Sequence, residues 1–396
     1  MIPAPAPQPR TATRQDPLHG PQFGSYAADE VSWLLTDLSE VALEAPVEER
    51  EEAIQSGGAH YAESLPIEYQ PSPAYQALFV RTLGSSVRRL ATAVGVVTEL
   101  ALAARQDGLV LVSLARAGTP VGILMRRWAQ RGGVDVPHYA VSIVRGRGID
   151  PAALAYIADR HDPSSVLFVD GWTGKGAISR ELAAALVEHE VRTGVQFSPD
   201  LAVLADPGSC VSMFGTRDDF LIASACLNST VSGLVSRTVL NDRVLTPGQF
   251  HGAKFYAELA HADVSGTFLD EVSAQFDAVR GDVAAQLATR EASDADWSGW
   301  AAVEQVSAAY GIGDVNLIKP GVGETTRVLL RRVPWKILVR TDAAPGDVEH
   351  VLQLAAERGV PVERVPDLAY TCIGLIHPNF TAGAVGADGV AARTSS

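Results

Sequence analysis

Cysteine is scarce in this 396-residue chain, which has Cys210, Cys226 and Cys372 and no others. Three dispersed thiols cannot build a disulfide framework and fall short of the four ligands of a structural zinc site. A reducing compartment fits. Long apolar runs are also absent: no stretch reaches the roughly 18 residues of a membrane span. The N-terminus is Pro-rich where a signal peptide would be basic and then apolar. The expectation is a cytoplasmic protein with no membrane partner. Basic residues are in deficit, 32 Lys and Arg against 46 Asp and Glu for a net charge of −14, which excludes broad charge-driven attachment to nucleic acid. Any RNA contact has to be local. What the chain does have is apolar content, 47%, enough for the cores of two or three domains at this length.

Residues 1–22, rich in Pro and polar residues, read as a disordered tail. Residues 23–75 turn acidic and end in a Pro-punctuated run, a cap or hood. In the core, 76–245, Phe79, Leu83, Val87, Leu90, Val94 and Val97 recur at helical spacing. The runs LVLVSL, HYAVSIV, SVLFV and DLAVLA then alternate with helical segments. Continuous apolar runs suit strands buried on both faces, so the fold class is α/β with a parallel sheet flanked by helices. Such sheets bind ligands beyond the carboxyl ends of their strands. Residues 246–298 read as a polar helical connector, 299–380 as a second small α/β domain, and 381–396 as a loose tail.

The sharpest chemical signal is SVLFVDGWTGKGAIS, residues 165–179. A buried strand leads to Asp170, then to a turn through Gly171, Thr173, Gly174, Lys175 and Gly176, and a helix starts near Ala177. Glycines let backbone amides approach an anion, and a helix N-terminus favours one, so the turn suits a phosphate. Asp170 can hold sugar hydroxyls. The nucleotide P-loop and dinucleotide patterns both fail here. A tight strand-to-helix connection is the structural alternative.

This segment resembles the ribose-phosphate motif of type I phosphoribosyltransferases, with Gly171 standing where the second acidic residue of that motif belongs. LVLVSLARAGTPVG carries Ser113, Arg116, Ala117 and Gly118 where the family has its pyrophosphate loop, and SIVRGRGID carries Arg145, Arg147 and Asp150 where it has its mobile catalytic loop. Asn228, Ser229, Thr230, Ser232, Ser236 and Arg237 either line a pocket or cap a helix. Taken with REEAIQSGGAHYAESLPIEY and CLNSTVSGLVSRT, the chain looks like a bacterial branch of these enzymes found with tellurite-resistance and stress-response systems, some of whose members carry the label cysteine protease StiP. Gln55, His60, Tyr61, Glu63 and Tyr69 would then form the hood, or simply pack in it.

The resemblance implies a pyrophosphate-releasing transferase that uses phosphoribosyl pyrophosphate, an unidentified small-molecule acceptor and Mg2+. Thr173 to Gly176 would hold the 5-phosphate, Asp170 the ribose, Arg116 and Gly118 the pyrophosphate, and Arg145 with Arg147 would close the site. No protein metal ligand is singled out. Two other readings stand beside it: a non-catalytic phosphoribosyl-ligand sensor, and thiol hydrolysis with Cys226 or Cys210 as nucleophile and His60 or His251 as base.

The C-terminal stretch from Val315 resembles the RNA-binding domain of Pelota and of kink-turn-binding ribosomal proteins. Gly321, Gly323, Glu324, Thr325, Thr326 and Arg327 match the glycine turn and Glu-Thr-Thr-basic helix start of that family, with Arg331 one turn further on. A glycine turn offers amides to a backbone phosphate and Glu324 can accept from a guanine edge, or these residues merely cap the helix. Structured RNA and a second copy of the chain are the macromolecular partners expected.

Overall fold

A computed structural model of the chain describes residues 15–45, 62–68, 70–291 and 294–376. Its larger unit is built on a six-stranded sheet: β1 (Ser32–Trp33), β2 (Val110–Leu114), β3 (His138–Val141), β4 (Val166–Trp172), β5 (Leu201–Ala205) and β6 (Met213–Thr216), in the order β1-β3-β2-β4-β5-β6 with every pairing parallel. The period of two divides each strand between two cores. Leu111, Leu167, Val169, Ala202 and Leu204 face one side, and Val110, Val112, Val166, Phe168 and Val203 face the other.

Helices follow in chain order: α1 (Pro73–Ala104), α2 (Gly118–Arg131), α3 (Pro151–Ala158), α4 (Ala177–Thr193), α5 (Ser265–Ala274) and α6 (Phe276–Thr289). α1 starts on a proline, whose fixed φ suits a first helical position. It buries Phe79, Leu83, Leu90, Val94 and Val97, the stripe expected from their spacing. α1, α2, α5 and α6 cover one face of the sheet, and α3 and α4 cover the other. Residues 246–298 are thus more than a connector, since Phe268, Leu269, Val272, Phe276 and Val279 are fully buried against α1 and α2. Residues 15–22, read above as tail, also pack: Leu18 exchanges backbone hydrogen bonds of 2.9 Å with Trp33.

The smaller unit runs α7 (Ser298–Tyr310), β7 (Ile318–Pro320), α8 (Val322–Arg331), β8 (Pro334–Arg340), α9 (Pro345–Glu357), β9 (Val362–Val365) and β10 (Cys372–Ile376). Its sheet has the order β7-β10-β8-β9, with β10 antiparallel to both neighbours and β8 parallel to β9. α7 packs with Leu338, Ile373 and Leu375 in a core of its own. The opposite face does not stay separate, because Val322, Leu329, Ile337, Val339, Val348 and Val351 join the same apolar cluster as α1. The Arg89–Asp347 ion pair and a hydrogen bond from the Tyr75 hydroxyl to the Leu330 carbonyl, at 2.9 Å, tie the seam.

Candidate functional site between the two units

β4 runs two residues past Asp170 before the chain turns. The Thr173 amide donates to the Ala205 carbonyl at 3.0 Å, and the Thr173 hydroxyl is clasped by the buried Asp206 carboxylate, which also accepts from the Cys210 and Val211 amides and from Arg217. Gly176 closes the turn at φ 72°, where a Cβ would lie 2.2 Å from the Trp297 ring, so both backbone and space demand glycine. α4 begins at the next residue and points its N-terminus into a cleft of about 290 Å3. The Asp170 carboxylate accepts a 2.8 Å hydrogen bond from the Gly171 amide, and burial pushes its pKa up to about 7. Burial, then the Lys319 and Arg145 charges, bring the Lys175 ammonium down to about 8. Its Nζ donates to the Val315 carbonyl of the smaller unit.

The far wall of the cleft belongs to the smaller unit: Ile318, Lys319, Pro320, Glu324 and Arg327. The glycine turn expected to meet RNA therefore faces the larger unit. Gly321, at φ 92°, and Val322 lie against Asp219, whose carboxylate accepts from the Val322 and Thr371 amides at 2.8 Å each. A Cβ on Gly323 would touch Ala225. Thr325 and Thr326 are buried, and the Thr326 hydroxyl bonds the Val322 carbonyl and His350. Burial alone would raise the Glu324 carboxyl, but Arg327, paired with it at 3.0 Å, and Lys319 hold it below the usual range. The Arg331 side chain lies outside the described residues.

Of the other expected site residues, Ala117 lines the cleft, Arg145 lies in the recess beside it, and most of the rest make structural contacts. The Ser113 hydroxyl bonds the Gly118 carbonyl at 3.0 Å and His138 at 2.7 Å, and burial takes His138 down to about 4, so it stays neutral. A Cβ on Gly118 would meet the Val169 carbonyl at 2.2 Å. Ala117 reaches the cleft edge. Arg116 pairs at 3.1 Å with the buried Glu68, which also accepts from the Ser229 amide at 2.7 Å. Burial would raise the Glu68 carboxyl, and Arg116 and Ser229 outweigh it. Asn228 caps the turn at Thr230. Asp150 caps α3 and accepts from the His251 amide at 2.6 Å. Arg145 and Arg147 are exposed on a turn whose Gly146 and Gly148 amides both bind Glu181. Gln55, His60, Tyr61 and Tyr69 lie outside the described residues. Sequence reading missed Glu68, Asp206 and Asp219, each of which bonds a residue far along the chain: Thr173 lies 33 residues from Asp206, Ser229 161 from Glu68 and Val322 103 from Asp219.

All three thiols are buried. Burial and the Asp206 charge push Cys210 up to about 12, and burial pushes Cys372 up as well. His251, one of the expected bases, bonds the Ser142 hydroxyl instead. Among the described residues no group of three or more His, Cys, Asp or Glu side chains forms a metal site.

Residues 24–273 match the family described as tellurite-like stress resistance cysteine protease StiP, and residues 297–378 match the PELOTA RNA binding domain. The cysteine protease StiP of Acinetobacter baylyi is 35% identical over 370 residues, which cover 89% of this chain and 94% of that protein. The xanthine-guanine-hypoxanthine phosphoribosyltransferase of Helicobacter pylori is 14% identical over 30% of this chain and 75% of its own, with a TM-score of 0.18, too low to carry an argument. These findings overturn the expectation of a pyrophosphate-releasing phosphoribosyltransferase: the matching family and relative are named for a cysteine protease. The site is consistent with that correction, since Arg116 is engaged by Glu68 and Gly171 supplies no second acid. Among the described residues no helix is long and apolar enough to cross a membrane.

Proposed function

The chain belongs to the StiP family, and from that premise we propose that it takes part in stress resistance as a thiol-dependent hydrolase with Cys226 as its nucleophile. The observation that carries the choice of residue is the place of its segment beside a buried ion pair. A cysteine attacks as its thiolate, which nearby positive charge favours. Cys226 sits three residues before Ser229, whose amide bonds Glu68 of the Glu68–Arg116 pair. In the reaction the thiolate adds to an acyl carbonyl, the C–N bond breaks as the leaving amine takes a proton from water, and water then cleaves the thioester to a carboxylic acid and the free thiol. Hydrolysis of fluorescent casein tests the assignment. Cys226→Ala abolishes turnover while Cys210→Ala and Cys372→Ala keep it; full activity in Cys226→Ala overturns the proposal.

A second reading concerns the smaller unit alone. Its match to an RNA-binding domain supports RNA as a partner, and Lys319, Arg327, Arg332 and Lys336 supply local cations in an otherwise acidic chain. Absence of any binding to total cellular RNA at low salt overturns this reading.

A further inference from the structure

The cleft at the turn does not end there. A second recess, of about 310 Å3, is lined by Arg145, Arg180, Glu181, Trp300 and Asn316, with the Glu181 carboxylate turned to the Gly146 and Gly148 amides, and it shares Lys175 and Ala177 with the first. The two form one groove along the seam, with Arg145, Lys175 and Arg180 contributed by the larger unit and Lys319 and Arg327 by the smaller. The Arg180 guanidinium lies 4.2 Å from the centre of the Trp300 ring and 4.8 Å from that of Trp297, which makes a flat cationic platform at one end. Cations gathered this closely set up a standing field for a polyanion.

The geometry points to a short single-stranded RNA segment as the occupant of this groove, an inference that rests on RNA as the partner of the smaller unit. Backbone phosphates lie along Arg145, Arg180, Lys175 and Lys319, one base stacks at the Trp300–Arg180 platform, and another presents its edge to Glu324. A cationic track with an aromatic platform is how single strands are held without pairing. A duplex is excluded by packing. The glycine turn and the two threonines that would dock on a helical RNA are buried against Asp219 and Ala225, so only a strand thin enough to enter the seam reaches Glu324.

Fluorescence anisotropy over a KCl series, with a labelled single-stranded oligouridylate and the same strand annealed to oligoadenylate, tests the groove. The single strand binds more tightly than the duplex. Replacing both exposed arginines, Arg145→Gln with Arg180→Gln, weakens it about tenfold or more and flattens the salt dependence, because phosphate contacts release counterions. Trp300→Ala weakens binding and leaves the salt slope unchanged. Circular dichroism melts matching the unmutated protein confirm that the variants fold. RNA binding that is indifferent to all three substitutions, or that favours the duplex, overturns the groove and leaves the RNA partner standing. No binding of either RNA by the unmutated protein overturns both.

Discussion

Asp170 is a carboxylate that the fold keeps at a cost. It follows four fully buried apolar residues of β4, accepts one hydrogen bond from its neighbour Gly171, and is pushed up to about 7 by burial. Between the ordinary carboxylate value, about 3.9, and about 7 the folded chain binds a proton that the unfolded chain has already lost. Stability therefore falls as pH rises through that window. Asp170→Asn removes the charge and is expected to stabilise the protein at pH 8 by up to about 4 kcal/mol, because each tenfold change in proton affinity is worth about 1.4 kcal/mol, with the gain vanishing near pH 4. Urea unfolding at the two pH values measures it; a gain of equal size at both would refute the buried-charge account.

At the scale of elements, the start of α8 is satisfied from outside its own unit. Asp219, in the loop after β6, accepts from the Val322 and Thr371 amides, while its carbonyl accepts from the Thr371 hydroxyl at 2.9 Å. Burial, with Asp347 adding repulsion and the bonded amides opposing both, places its pKa at about 6. Asp219→Ala strands two buried N–H groups. It is expected to destabilise by roughly 2 to 6 kcal/mol, at about 1 to 3 kcal/mol per unsatisfied donor, while Asp219→Asn, which keeps one acceptor, loses less. Equilibrium denaturation gives the two values, and an alanine variant as stable as the parent would remove Asp219 from the seam. The glycine turn of α8 was legible in the sequence as a helix start; which way it faces was not, because nothing local distinguishes an amide turned to a phosphate from one turned to a carboxylate in another unit.

For the whole molecule the apolar cluster spans both units. Two alternations of strands and helices in the sequence point to two separate domains, the second at 299–380. In the structure Val322, Leu329, Val339, Val348 and Val351 share a core with α1, and the Trp297 and Gly299 amides bond the Ser209 and Gly208 carbonyls. Truncation before α7 bares that face. It is expected to yield a protein that binds a hydrophobic dye and self-associates, whereas the full chain melts in one calorimetric transition. A monodisperse truncated protein with a cooperative melt would show the units to be independent after all.

The sequence by itself determined the elements of this protein. Continuous apolar runs specified strands buried on both faces, the Phe79 to Val97 stripe specified a helix with one covered side, and Gly176 specified a left-handed turn residue just before a helix. These are short-range matters of periodicity and backbone sterics. The tertiary structure alone decided which side chains are spent and which remain to act. Arg116 is taken by Glu68 from 48 residues away, Asp150 by the His251 amide from 101, and the glycine turn of α8 by Asp219 from 103. A buried polar group takes whatever partner folding brings to it, and chain separation leaves no local trace of that choice.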